Sequence, residues 1–164
     1  MPWGEPPRLT VPVGTSRAEV ERLLAEKKRW IAEQQSRQIP RLGLELRAIS
    51  ESAARIGARE LISALAEEEA ERIGVSYSRV RIGGQRTLWG SCSRRGTLSF
   101  NWRLMLAPFE VLDYVVVHEL CHLRVPNHSR RFWTLLERHR PHWREQRDWL
   151  RVHGPELLAF SPSK

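Results

Sequence analysis

From Ile49 onward, apolar residues recur at helical spacing through "ISESAARIGARELISALAEEEAERIGV", with Ile56, Leu61, Leu65 and Ile73 on one side. That period predicts a long helix, which Gly74 ends. The acidic run Glu67–Glu69 reads as its solvated face. Upstream, Val20, Leu23, Leu24, Trp30 and Ile31 predict an amphipathic helix capped by Thr15 or Ser16 and broken by Pro40 and Gly43. Beyond residue 75 the period shortens to two. Val80 and Ile82, then Leu88, then Leu98 and Phe100 predict strands at 78–83, 86–91 and 97–101. The last two form a hairpin, and the strand at 97–101 is an edge or an inner strand with equal weight. Helical spacing then returns. Pro108 opens a helix through "FEVLDYVVVHELCHL" to about Arg124, and Pro126 stops it. "SRRFWTLLERHR" follows from Ser129 to Pro141, and "HWREQRDWLRVHG" closes at Gly154.

Strands flanked by helices predict an α+β fold: a small antiparallel sheet of about three strands packed on the helix at 108–124. Residues 1–14, rich in proline, form a flexible N-terminus; 15–52 form a helical appendage; 53–160 form the main domain. A chain of 164 residues buries a core without staples. Cys92 and Cys121 form no C-x-x-C pair and read as reduced packing residues. With no apolar leader at the N-terminus and no apolar run long enough to span a bilayer, the expectation is a cytoplasmic monomer without a membrane partner.

Charge changes the picture locally. The net charge is +8. Residues 124–151 hold eight arginines against Glu137, Glu145 and Asp148, interleaved with Phe132, Trp133, Trp143 and Trp149. One reading is a solvated basic face over a buried aromatic stripe. The other is a nucleic-acid face, with Arg130, Arg131, Arg138, Arg140 and Arg144 on phosphates.

The chemistry concentrates in "HELCHLRVPNH", residues 118–128. His118 and His122 are four apart, so a helix projects both imidazoles from one face. Two such nitrogens suit one zinc ion, which takes imidazole readily and wants a third protein ligand. Glu119 is placed to reach a water beside the ion, where a general base belongs. His128 lies six residues past His122, and a continuing helix would carry it off the shared face. Pro126 forbids continuation and pushes Val125 towards an extended conformation, so the chain turns back and returns His128. The spacing equals that of metzincins, but Val125 stands where they have glycine, and Met1 and Met105 both lie upstream of any Met-turn.

The longer string "LWGSCSRRGTLSFNWRLMLAPFEVLDYVVVHELCHLRVPNHSRRFW" resembles the YgjP-like metallopeptidase family, relatives of the SprT-like and WLM proteases. The resemblance covers roughly residues 53–153 and rests on "WGSCS", "NWRLMLAP", "DYVVVHELCHL" and "NHSRRFW" together. It implies a zincin-like α+β fold, metal ligands His118, His122 and His128, and a catalytic Glu119. Members carry a β-rich segment between an N-terminal "W-I" helix (Trp30-Ile31 here) and the long helix. This chain has the shorter "AEQQSRQIPRLGLELRAISE" instead.

The remaining candidates are weaker. Trp89 is a substrate wall or a core tryptophan beside a Gly90 bulge. The strand Thr97–Asn101, with Ser99 at its centre, pairs with an extended peptide or sits inside the sheet. Asn101 and Arg103 contact substrate, or Arg103 pairs with an acid such as Asp113. Asp113 is also a candidate to orient a ligating histidine. The expected activity is zinc-dependent hydrolysis of a peptide or protein, with one Zn2+ per chain and Glu119 as base. Two readings stand beside it: a metal-dependent nucleotide phosphoanhydride hydrolase, and a DNA-stimulated protease or nucleic-acid-binding module.

Overall fold

The computed structural model describes residues 50–161, together with Ser16 and Arg17. The expected flexible terminus and nearly all of the N-terminal appendage lie outside the described residues. Helix α1 spans Glu51–Ile73. Ser50 caps it, its Oγ accepting from the Ala53 N–H at 3.3 Å. Gly74 ends it in the left-handed region, at φ 72°, where its N–H returns to the Ala70 carbonyl. Three short strands follow: β1 (Arg79–Gly83), β2 (Gly90–Cys92) and β3 (Thr97–Asn101). A 3-10 turn at Trp102–Leu106 leads into α2 (Phe109–Cys121), α3 (Arg130–His139) and α4 (Trp143–Ala159). None of these helices is long and apolar enough to cross a membrane.

The class is α+β, but the sheet is mixed rather than antiparallel. Its order is β1-β3-β2. β2 and β3 form the expected hairpin, with Ser91 opposite Ser99. β1 runs parallel to β3, from Arg79 opposite Thr97 to Gly83 opposite Asn101. β3 is therefore the inner strand, and both its edges are taken. Apolar alternation reports which face of a strand is buried; it carries no information about the direction of a neighbour.

Helix α2 is central among the described elements. It packs on α1, α3, α4 and β2. Nine of its thirteen residues are buried, Val111, Leu112 and Val115–Val117 among them. A helix apolar on all sides belongs in a core. Against it α1 turns a face of mostly small residues: Ala54, Ala58, Ile62, Ala66, Ala70 and Ile73. Of the larger side chains expected there, Ile73 is buried, while Ile56 at 60% exposure and Leu61 at 39% point away. Glu69, expected in solvent, is buried. It accepts from Arg72 at 2.7 Å and pairs with Arg140 at 3.0 Å. Helix α4 passes through Gly154 and Pro155 instead of stopping. A Cβ on Gly154 would meet the Trp89 ring at 3.3 Å, so this glycine admits a close neighbour and does not end the helix.

Candidate metal centre

The three histidines of "HELCHLRVPNH" meet. His128 Nε2 lies 2.9 Å from His118 Nε2 and 3.1 Å from His122 Nε2. Tetrahedral zinc–imidazole bonds separate nitrogens by about 3.3 Å, so the three converge at the spacing one ion requires. The local sequence explains how. His118 and His122 occupy one face, a turn apart, at the end of α2. The last turn tightens as Leu123 N–H donates to the Leu120 carbonyl and Arg124 N–H to the Cys121 carbonyl, both at 3.1 Å, and Pro126 ends it. His122 Nδ1 then faces the Val125 carbonyl at 3.1 Å, which turns Nε2 inward. Ser129 starts α3 one residue after His128.

Phe132 and Trp133 on α3 hold the cluster from beneath. The Phe132 ring stacks on His122 at 4.5 Å and meets His118 and His128 edge-on, both at 4.8 Å. Trp133 stacks on His128 at 5.3 Å and on Trp143 at 4.3 Å. Burial keeps His118 neutral: its pKa falls to about 3, with His122 and His128 adding to the effect. Neutral imidazoles are the form that ligates, and these residues fit a divalent cation. Among the described residues this metal-binding group contains no carboxylate, so it does not build the two-ion centre of phosphoryl chemistry.

Glu119 lies beside the cluster, 6% exposed. Burial pushes its carboxyl up to about 8. Gly90 of β2 is why it fits: a Cβ there would stand 2.6 Å from Glu119 Oε1. The contact places β2, an edge strand of the described sheet, next to the cluster. Cys92 on the same strand is raised to about 11, first by burial and then by Glu119. Tyr114, one turn before His118, packs edge-on against it at 5.7 Å.

The other sequence candidates are placed elsewhere. Asp113 receives Arg140 through both carboxylate oxygens, so it pairs with neither Arg103 nor a ligating histidine. His118 Nδ1 is buried without a hydrogen-bond partner. Ser99 lies mid-strand in β3, whose edges are both paired, so a peptide cannot add there. Asn101 is fully buried and structural: it caps the 3-10 turn at Arg103 N and holds the Gln85 carbonyl at 2.6 Å. Arg103 donates to the Phe160 carbonyl at 2.7 Å. Trp89 packs over Gly154. Cys121 is buried in the core. Of the basic stretch, Arg140 turns inward to Glu69 and Asp113, while Arg144 pairs with Glu137 at 2.6 Å. Phe132 and Gly90, read from the sequence as part of an aromatic stripe and as a bulge beside Trp89, both touch the site: the ring lies against all three imidazoles, and the glycine admits Glu119.

Comparison with known proteins agrees with this geometry. The family model described as YgjP-like, metallopeptidase domain matches residues 42–153. No curated protein matches the chain. Among solved structures, the crystal structure of the metallopeptidase zymogen of Pyrococcus abyssi abylysin is similar, with a TM-score of 0.51 and 25% identity. The match covers 57% of this chain and 92% of that one.

Proposed function

The chain belongs to the YgjP-like metallopeptidase domain family, and from that premise we propose that it is a zinc-dependent peptidase with Glu119 as general base. The carrying observation is the meeting of three Nε2 atoms, those of His118 and His122 both within 3.1 Å of the third, with a buried carboxylate one residue from the first histidine. The chemistry of the donor set, three imidazoles and no thiolate, supports zinc over softer or harder ions. When bound, the ion supplies Lewis acidity towards a water and a carbonyl.

The protein's residues do the rest. Glu119 takes the proton of the attacking water and passes it to the leaving amine. Phe132 and Trp133 hold the imidazoles through ring contacts and offer no group that ligates a metal. Among the described strands, the one an extended peptide would pair with beside Glu119 is β2, whose Gly90 borders that carboxylate.

Glu119→Gln is the test. The variant is expected to retain one zinc per chain by elemental analysis and to lose at least about a hundredfold in hydrolysis of an unfolded protein. Retention of near-full activity would remove Glu119 from the mechanism. Pyrophosphate release from a nucleotide panel, dependent on His122, would replace the peptidase reading altogether.

A further inference from the structure

Buried polar groups in folded proteins are paired, and an unpaired one asks for an explanation. Trp102 and Arg103, which begin the 3-10 turn after β3, are 1% and 8% exposed. Trp102 Nε1 and Arg103 Nη1 have no hydrogen-bond partner. Arg103 is otherwise held in place. Its Nε donates to the Phe160 carbonyl, and its guanidinium carbon lies 4.6 Å over the Trp102 ring.

The two orphan donors converge. A Cβ built on Gly84 would stand 3.3 Å from Trp102 Nε1, 3.5 Å from Arg103 Nη1 and 2.8 Å from Arg55 Nη2. Asn101 holds the loop that carries Gly84, its Nδ2 donating to the Gln85 and Leu88 carbonyls. The charge here is unbalanced. Burial lowers the pKa of Arg103; Glu51 opposes this, but Arg55 and Arg86 add to it. Glu51 is itself bound to Arg55 at 2.7 Å. A guanidinium keeps its charge, so a buried one without a counter-ion is costly, and an anion offsets that cost.

We propose that Arg103, Trp102 and Arg55 form a binding site around Gly84 for a small oxyanion, a carboxylate or phosphate group. Such a group offers several acceptor oxygens to a guanidinium fork and an indole N–H. Glycine at position 84 puts no side chain of its own between the donors, and only the tip of Arg55 closes that space. Arg55 is the movable wall: its side chain is 40% exposed, so its tip can swing outward as the anion enters. Gly83 pairs with Asn101, and Gly90 with Phe100. The site therefore lies at the end of the sheet where Gly90 touches Glu119. Two sources supply this chemistry: inorganic phosphate, and the terminal carboxylate of a peptide. The second source rests on the peptidase reading, and the site itself does not.

The test uses the full chain as the Glu119→Gln variant, so that no peptide is cleaved. Indole N–H signals are followed by 1H–15N spectroscopy at constant ionic strength. The probes are inorganic phosphate, an acetylated tripeptide with a free carboxylate, and its C-terminal amide. Trp102→Phe assigns the Trp102 signal. Phosphate, the free-carboxylate peptide or both are expected to shift that signal saturably, and the amide is not. Gly84→Ala, which fills the cradle and removes no donor, and Arg103→Gln are each expected to weaken binding about tenfold or more. Arg130→Gln, which removes the same charge elsewhere, leaves binding unchanged. The site does not exist if neither phosphate nor the carboxylate peptide shifts Trp102, or if Gly84→Ala binds as tightly as its parent. Should Arg103→Gln fail to fold, Gly84→Ala decides alone. Binding is read without turnover, so a failed peptidase reading and a failed anion site are separate results.

Discussion

Glu119 and Gly90 are matched across a contact that leaves no room for a methyl group. Gly90→Ala would push the carboxylate aside while leaving the three histidines untouched. It is expected to lower kcat by about a hundredfold, the scale of a misplacement near 1 Å, with metal content unchanged. The parallel readings are zinc by elemental analysis and steady-state peptidase kinetics. Two titratable groups of the cluster also set opposite pH limits on the chelator-stripped protein. His118 is near 3 in the folded state against an ordinary 6.5, so its contribution is lost as pH falls below 6.5. Glu119 is near 8 against an ordinary 4.5, so its contribution is lost as pH rises from 4.5 through 8. The two effects compensate between those limits, and denaturant midpoints are expected to form a plateau at about pH 4.5–6.5. Glu119→Gln is expected to flatten the decline between 6.5 and 8. At this scale the histidines and Glu119 were legible, because ligand spacing is local along one helix. Gly90 was not, since its constraint comes from Glu119, on a helix about thirty residues further along the chain.

Among the elements, α2 carries His118 and Glu119, and its neighbours hold it in place. Arg140, at the end of α3, binds Glu69 of α1 and Asp113 of α2 together. Arg140→Ala would leave Glu69 buried with only Arg72, and is expected to cost about 3–5 kcal/mol in urea unfolding. Phe132→Ala removes the ring beneath all three imidazoles. It is expected to cost about 3–5 kcal/mol and to raise the zinc dissociation constant, measured by competition with a chromogenic chelator. Helix ends at Gly74, Pro108 and Pro126 were readable from local chemistry. The buried face of α1 was not. Large apolar residues mark a buried face in general, but α1 lies against α2 along its alanines, and Ile56 and Leu61 are left outside. Gly154 misled for a similar reason, since it serves the approach of Trp89 within a continuing helix.

For the whole molecule, the metal is expected to act as a ligand of the native state alone. Chelation is expected to lower the melting temperature, and zinc at a thousand times its dissociation constant to restore about 4 kcal/mol. Calorimetry with and without zinc measures this, and a melting temperature indifferent to zinc would mean the histidine cluster is not a site. The long-range arrangement is where sequence and structure part. By itself, the sequence determined the α+β class, the three histidines, the acid beside them and the proline that brings His128 back. All of these depend on spacing within one or two turns of chain. Only the tertiary structure decided that β3 lies between β1 and β2, that Asp113 faces Arg140, that Gly90 admits Glu119, and that two orphan donors meet at Gly84. Each of these is a contact between segments far apart in the chain, and residue periodicity records burial without naming the partner that causes it.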